Sequence, residues 1–329
     1  MVLRVNDLSV SIANSDPPLD IVKGVSLEIG EGEILGVVGE SGCGKSMTSL
    51  AIMGLLPKPA LAQRGGEILL EGKDVSDLPP YRRIEQDCGG ISMIFQEPMT
   101  SLNPVMRVGE QIMEALRVHD AGSGRAPEAR ARELLDLVHI ADAAHQLSAY
   151  PHELSGGMRQ RIMIAIALAC NPKVLIADEP TTALDVTVQA QILSLIRELC
   201  EELSMAVLFI THDLGVVAQL ADRVVVMYAG QVAETADVDD LFARPAHPYT
   251  HGLFSCLPDP ENRSGYLYPI PGQAPLITDI GDGCAFAPRC RFVTAECRSG
   301  LLPAADIAAG HLAMCHHPQG STGPNGGSR

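Results

Sequence analysis

Short apolar runs recur along the chain and are separated by segments with helical periodicity. Several of the runs are rich in β-branched residues and contain no polar residue, which is typical of strands covered on both faces. They predict strands at residues 25–29, 34–38, 67–70, 91–95, 174–177, 206–210 and 224–228. Helices are predicted at residues 47–56, 108–118, 128–138, 157–169 and 186–203. Strands that alternate with helices predict an α/β fold with a mostly parallel sheet.

The character of the chain changes at three places, and these changes predict its domains. Residues from about 97 to 155 carry helical segments but no clear strand, which predicts a helical subdomain inserted into a main domain of residues 1–242. After Arg244, prolines and glycines become frequent and periodicity fades, so residues 243–317 are predicted as a separate extension, mostly loop. Residues 318–329 are polar and rich in glycine, which predicts a disordered tail.

The first stretch with recognisable chemistry, residues 39–46, reads Gly-Glu-Ser-Gly-Cys-Gly-Lys-Ser and completes the pattern G-x-x-x-x-G-K-S. It lies between a predicted strand and a predicted helix, where backbone N–H groups and a helix N-terminus bind phosphates. An ordinary glycine-rich turn is the alternative, which four fixed positions in this context disfavour. Lys45 is expected to reach the β- and γ-phosphates and Ser46 to hold Mg²⁺. The residues predicted to bind the nucleotide are Gly39, Glu40, Ser41, Gly42, Cys43, Gly44, Lys45, Ser46 and Met47.

Polar side chains follow three further predicted strands and are candidates for the rest of a nucleotide site. Asp178 is expected to bind Mg²⁺, and Glu179 to polarise the attacking water, because phosphoryl transfer needs a positioned nucleophile and charge neutralisation. Gln96 is placed where it can sense the metal and the water, and His212 where it can bond the γ-phosphate. The alternatives are exposed acids at a strand end, a surface glutamine and a structural histidine.

Composition and charge narrow the class of protein. The chain has 329 residues, no tryptophan and only 4% aromatic residues, so its core must be aliphatic. The formal net charge of −16 argues against a nucleic-acid groove, which needs a basic stripe. Neither a signal-peptide pattern nor an apolar run of about 18 residues is present, so we expect a chain that is soluble by itself.

The nine cysteines fall into a scattered group and a C-terminal cluster. Cys43 precedes a helix, where positive potential favours the thiolate, and this predicts an enzyme that is sensitive to thiol reagents and protected by ATP. Without an export signal, a metal or redox role for the cluster is more plausible than a disulfide framework. The cluster consists of Cys284, Cys290, Cys297 and Cys315, which are separated by loops of five, six and seventeen residues. These spacings do not fit the paired loops of zinc fingers.

The order of the motifs resembles that of the ATP-binding cassette (ABC) family over about residues 1–242. The phosphate loop is followed by Gln96, Leu-Ser-Gly-Gly-Met at 154–158, Asp178-Glu179, Ala-Leu-Asp at 183–185 and His212. The resemblance implies a phosphate-loop NTPase core that binds ATP and Mg²⁺, together with an antiparallel β region. It also implies that two cassettes sandwich two ATPs. Ser155, Gly156 and Gly157 would then act across the dimer as the signature, and Asp185 would belong to the D-loop.

One feature departs from the pattern of that family. Its members usually stack adenine on an aromatic residue of the first strands, whereas this chain has no aromatic residue before Tyr81. Ile12 or a neighbour is expected to make an apolar contact with adenine instead.

The C-terminal extension resembles the oligopeptide and dipeptide importers, a branch that also includes importers of nickel and other small solutes. The resemblance is carried by Arg-Pro-x-His-Pro-Tyr-Thr at 244–250, by the cysteine cluster and by His311. It implies two permease subunits, a solute-binding protein and a second, unlike cassette subunit. The sequence of residues 181–186 is more similar to that of the first of the branch's two unlike cassette subunits than to that of the second. Four thiolates suit a [4Fe–4S] cluster; reduced thiols or zinc are the alternatives. A metal centre would be structural, because the nucleotide motifs are complete without it.

The resulting hypothesis is the ATP-hydrolysing motor subunit of a membrane importer, peripheral at the cytoplasmic face of the cell membrane. The insert of residues 97–155 is the expected docking face for the permeases. A soluble cassette ATPase that acts on DNA or the ribosome is the alternative from another class, against which stand the net charge and the single cassette. A nucleotide-binding regulator without turnover is opposed by the presence of Glu179 and His212.

Overall fold

The computed structural model describes residues 1–13, 15, 18–85, 90–95, 101–119, 126–182, 184–256, 269–281 and 283–319. The strands are β1 Leu3–Ile12, β2 Asp20–Ile29, β3 Ile34–Val38, β4 Leu61–Leu70, β5 Lys73–Asp74, β6 Ile91–Ile94, β7 Val174–Asp178, β8 Ala206–Ile210, β9 Arg223–Tyr228, β10 Gln231–Asp237, β11 Ala304–Ala308 and β12 His311–Met314. The helices are α1 Lys45–Met53, α2 Pro80–Ile84, α3 Val108–Val118, α4 Pro127–Leu137, α5 Ala143–Gln146, α6 Gly156–Ala167, α7 Val186–Leu203, α8 Leu214–Leu220, α9 Val238–Ala243 and α10 Pro248–Ser255. Short 3₁₀ turns occupy Pro151–Glu153, Ile277–Asp279, Ala287–Arg289 and Glu296–Arg298.

Within the described residues the strands form two sheets. The larger has the order β11-β12-β10-β9-β3-β8-β7-β6, and its centre from β9 to β6 is parallel. The smaller is antiparallel with the order β2-β1-β4-β5. The prediction of an α/β fold with a mostly parallel sheet is confirmed.

The parallel strands are buried on both faces, which explains their continuous apolar sequence. Successive residues of β7 point to opposite sides of the sheet. Val174 and Ile176 pack with α1 and the antiparallel sheet, whereas Leu175 and Ala177 pack with α3, α4, α6 and α7. The helix that follows the phosphate loop, α1, therefore packs between the two sheets.

The described part of residues 97–155 contains α3, α4 and α5 and no strand, as the sequence predicts. Buried side chains of α3 and α4 pack against α6, which leads the chain back to β7. In the described parts of the chain, no helix has both the length and the apolarity that crossing a bilayer requires.

The extension contains more regular structure than its sequence predicts. It has a helix, α10, and its strand β12 pairs antiparallel with β10, so that β11 and β12 continue the main sheet. Glu234 on β10 is fully buried and accepts hydrogen bonds from the N–H groups of Ala246 (2.7 Å) and His247 (2.8 Å). Its carboxylate lies 2.7 Å from Nε2 of His311, which is also fully buried. One carboxylate thus joins three segments of the chain. Residues 320–329, most of the predicted tail, lie outside the described residues.

Candidate functional site

The phosphate loop begins with Gly39, directly after β3. Its φ is +153°, and a Cβ there would lie 2.2 Å from the carbonyl oxygen of Met227. Gly44 precedes α1 with φ +100°, and its Cβ would lie 3.1 Å from the carbonyl oxygen of Ile21. Both positions therefore require glycine, one chiefly because of close approach and the other because of its backbone conformation. The strand, turn and helix predicted from the sequence are present here.

Lys45 is the buried cation of this loop. Its Nζ donates hydrogen bonds to the carbonyl oxygens of Gly39 (2.7 Å) and Glu40 (3.1 Å). Among the described residues, no carboxylate lies within ion-pair distance of it. A buried ammonium without a carboxylate partner is costly, and the exposed tip of the loop beside it, Ser41 and Gly42, is open to solvent. Together with the N-terminus of α1 this makes an anion site.

Ser46 and Asp178 form a corner suited to Mg²⁺. The Ser46 hydroxyl donates to Oδ1 of Asp178 at 3.2 Å. Ligand oxygens on adjacent corners of a Mg²⁺ octahedron lie about 2.9 Å apart, so these two oxygens fit the ion with a small shift. Burial raises the pKa of Asp178, and the hydrogen bond from Ser46 opposes this only in part. Gln96, the third predicted metal contact, lies outside the described residues.

Glu179 is held by two side chains. Its Oε1 lies 3.0 Å from Nδ1 of His212, and its Oε2 accepts from the hydroxyl of Thr182 at 3.0 Å. Burial alone would raise the pKa of Glu179, but the bonds to His212 and Thr182 leave it lowered. Its φ of +46° is in the left-handed region, which is unusual for a residue with a side chain and occurs at functional sites. The carboxylate is therefore ionised and fixed in direction next to the Mg²⁺ corner.

The signature residues lie at the N-terminus of α6. Ser155 is the N-cap and its hydroxyl accepts from the N–H of Met158 at 3.3 Å. Gly156 is exposed, and a Cβ on Gly157 would lie 2.8 Å from Cγ1 of Val188, so close packing on α7 requires glycine there. None of the hydrogen bonds between described residues joins the signature to the phosphate loop. The helix begins one residue earlier than predicted.

Asp185, the predicted D-loop residue, is the N-cap of α7. Its Oδ1 accepts from the N–H of Val188 at 2.9 Å. The next residue, Val186, is exposed. Ile12, the predicted adenine contact, is half-buried at the end of β1.

The expectation that the position of Cys43 before a helix favours its thiolate is wrong. The residue is 4% exposed, and burial raises the pKa of its thiol. The nearby Lys45 lowers that pKa, but by less than burial raises it. Burial in the core beneath the loop thus outweighs the positive potential of the helix N-terminus.

The structure brings the cysteine cluster together. Cys284, Cys290, Cys297 and Cys315 line one small cavity, and the N–H of Cys284 donates to the carbonyl oxygen of Cys297 at 2.8 Å. All four are free thiols, and burial raises the pKa of Cys315 to about 12. Across the described residues, however, no group of three or more His, Cys, Asp or Glu side chains is arranged to hold a metal ion. The predicted neighbourhood is present, and the predicted metal centre is not confirmed.

Comparison with known families and proteins agrees with these motifs. Residues 22–182 match the ABC transporter family, and residues 233–297 match the C-terminal region of oligopeptide/dipeptide transporters. A probable peptide ABC transporter ATP-binding protein of Sinorhizobium fredii is 49% identical over 96% of this chain and 94% of its own length. The dipeptide transport ATP-binding protein DppD of Escherichia coli is 45% identical over 98% of both chains.

Solved structures show the same cassette fold. An ATP-binding cassette solved as a dimer in a post-hydrolysis state with ADP and Pi matches with a TM-score of 0.61 and 28% identity, over 72% of this chain and 98% of that one. CbiO1 of Clostridium perfringens, part of an ABC transporter complex, matches with a TM-score of 0.61 and 27% identity, over 74% of this chain and 90% of that one.

The site and these matches define the class of protein: an ATPase of the cassette type. The chain belongs to the ABC transporter family, as the order of its motifs predicts. Thr182 is one residue of the site that no motif in the sequence predicts. Its position three residues after Glu179, on the turn that leaves β7, is the signal that would have identified it.

Proposed function

We propose that this chain is the ATP-hydrolysing motor subunit of a membrane importer for oligopeptides or dipeptides. The observation that carries the hydrolysis is the ionised Glu179, fixed by His212 and Thr182 next to Ser46 and Asp178. The names of the relatives and the match of residues 233–297 support peptides as the solute.

Each residue of the site has a role in this proposal. Lys45 and the N–H groups of residues 39–46 bind and orient the phosphates. Ser46 and Asp178, with Gln96, would hold Mg²⁺, which when bound neutralises phosphate charge. Glu179 orients and polarises the attacking water, and His212 keeps Glu179 in position and can bond the γ-phosphate. The protein thus catalyses hydrolysis by positioning and electrostatics rather than by a covalent step.

The site is completed by a second cassette. Ser155 and Gly156 are exposed at a helix N-terminus and make no hydrogen bond to their own phosphate loop within the described residues, so they are free to bind a γ-phosphate held by a partner. The dimeric cassette with ADP and Pi supports this arrangement. ATP binding closes the dimer and hydrolysis resets it. We infer that the partner is an unlike cassette subunit, with Asp185 and the D-loop at the same interface.

An apolar groove is the candidate contact with the permeases. It lies between the helical insert and the core, has a volume of about 290 Å³, and is lined by Leu55, Met93, Phe95, Ala115 and Ile166 among others. Phe95 is exposed there although it is aromatic, and it directly precedes Gln96. The occupant we propose is an apolar cytoplasmic helix of a permease, because Met53, at the end of the helix that follows the phosphate loop, lines the same groove and connects it to the nucleotide site. The chain would then act at the cytoplasmic face of the membrane, with a solute-binding protein delivering peptide from outside.

We further propose that the cysteine cluster holds a metal centre, with a [4Fe–4S] cluster as the candidate and zinc as the alternative. The fit rests on four thiols that line one cavity and are four of the five cysteines of the extension. Binding requires their side chains to turn toward a common point. Anaerobic purification followed by iron, sulfide and zinc analysis tests this: about four iron and sulfide per chain support the cluster, one zinc supports the alternative, and neither refutes both.

Reconstitution tests the function as a whole. The chain, its partner cassette, the permeases and the binding protein are assembled in vesicles, and uptake of labelled peptide is measured with ATP. Lys45→Ala should remove ATP binding and uptake together, because Lys45 neutralises phosphate charge in the ground state. Uptake of nickel but not of peptide would show that the solute belongs to the alternative class, nickel and other small solutes. ATP-dependent uptake of neither would refute the import function.

A further inference from the structure

The extension contacts the phosphate loop directly. Arg289 lies 2.9 Å and 3.2 Å from the two carboxylate oxygens of Glu40, the second residue of the loop. The Arg289 side chain is only 7% exposed. It also donates to the Tyr228 hydroxyl at 3.2 Å and to the carbonyl oxygen of Pro271 at 2.9 Å. These hydrogen bonds together fix the position of the Arg289 guanidinium.

A second residue of the extension, Tyr249, also forms a hydrogen bond with Glu40. The hydroxyl of Tyr249, on α10, accepts a hydrogen bond from the N–H of Glu40 at 2.9 Å, and Tyr249 is fully buried. The carbonyl oxygen of Glu40 in turn accepts from Nζ of Lys45 at 3.1 Å. Glu40 is thus held at its side chain and its N–H by the extension, and at its carbonyl by the phosphate-binding lysine.

The pair also has an electrostatic consequence. Glu40 places a negative charge in a loop that binds a polyphosphate, and an unpaired carboxylate there would repel the ligand. Arg289 neutralises it. Cζ of Arg289 lies 5.8 Å from the centre of the Tyr228 ring and 5.9 Å from that of Phe286, so the two rings cover the guanidinium.

We propose that Arg289 and Tyr249 position the phosphate loop through Glu40, so that ATP affinity depends on the C-terminal extension. The inference rests on the proposed role of residues 39–46 in binding ATP. Arg289 directly precedes Cys290 in the chain. A shift of the backbone at the cysteine cavity would therefore also move Arg289 and its contact with Glu40 of the phosphate loop.

Equilibrium binding of Mg-ATP to the full-length chain, measured with a fluorescent ATP analogue, tests this. Arg289→Met keeps most of the side-chain volume and removes the charge. It should raise the Kd for ATP roughly tenfold, within the range for network residues that touch no ligand. Glu40→Gln should have a smaller effect and should abolish the effect of adding Arg289→Met, because the two residues act as a pair. Tyr249→Phe removes only the acceptor for the Glu40 N–H and should weaken binding independently.

Arg291→Met is the matched control, since Arg291 is an exposed arginine two residues away that packs on Phe292; its Kd should equal that of the wild type. Arg289→Lys, which retains one charged donor, should restore part of the affinity. Thermal unfolding of each variant identifies those that are folded, and Glu40→Gln and Tyr249→Phe serve if Arg289→Met does not fold. Folded Arg289→Met with wild-type affinity overturns the inference. Absence of ATP binding by the wild-type chain would instead overturn the proposed function.

Discussion

Replacement of Glu179 by glutamine perturbs the proposed hydrolysis step with the least change of shape. The carboxylate accepts from Thr182 and pairs with His212, each at 3.0 Å. An amide retains one acceptor oxygen and so keeps one of these bonds, and it can no longer polarise water as a base. A positioned base contributes about 10²- to 10⁴-fold to a rate, which is about 2.7 to 5.5 kcal/mol of barrier. Turnover should fall by that factor.

ATP affinity should stay at the wild-type value in Glu179→Gln, because Lys45, Ser46 and Asp178 are unchanged. Phosphate release by the assembled transporter and binding of a fluorescent ATP analogue measure the two quantities. Glu201→Gln, the same substitution at an exposed position of α7, is the control and should change neither. Equal turnover in Glu179→Gln and the wild type would refute the catalytic role.

The pH dependence of turnover provides a second check on Glu179. Its pKa lies below the ordinary value of 4.5, so the carboxylate is already ionised at neutral pH. Turnover should therefore show no titration of this group between about pH 6 and 8. A loss of activity in this range that disappears in Glu179→Gln would contradict the assignment.

Three further predictions concern the rest of the structure. Glu234→Ala should lower the free energy of unfolding, measured by urea titration, by about 3–5 kcal/mol, since it leaves His311 and two N–H groups buried without their acceptor. The control Asp240→Ala breaks an exposed ion pair and should lower that free energy by less than about 1 kcal/mol. Cys43 should react slowly with alkylating reagents at neutral pH, because its thiol is buried and its pKa raised; rapid stoichiometric labelling that is lost in Cys43→Ser would contradict this. Burial lowers the pKa of His247 from 6.5 to about 4. Between these pH values the unfolded chain binds a proton that the folded chain does not, so the contribution of His247 to stability is fully present above about pH 6.5 and is lost as the pH falls toward 4. A free energy of unfolding, followed by circular dichroism, that does not change across this pH range would exclude the effect.

The sequence by itself determines the nucleotide-binding half of this protein. The phosphate loop, its strand and its helix follow from consecutive residues, because glycine conformation and apolar burial are local consequences of residue type. The parallel strands are continuous in apolar residues, and their predicted bounds lie within one residue of those in the structure. Strand β1, Leu3–Ile12, is not among the predicted strands: it has no continuous apolar run, and its alternation of apolar and polar residues is broken at Asn6-Asp7, where the pairing with β2 is irregular.

Tertiary structure alone decides what the extension does. Arg289 and Glu40 are 249 positions apart, and no local pattern connects them. The strand β12 lacks a long apolar run, and it forms because β10 offers it an open edge of the main sheet. Cys43 shows the same limit at the scale of one residue. Its place before a helix favours the thiolate, but the core packed around it opposes the charge, and burial is a property of the whole fold rather than of neighbouring residues.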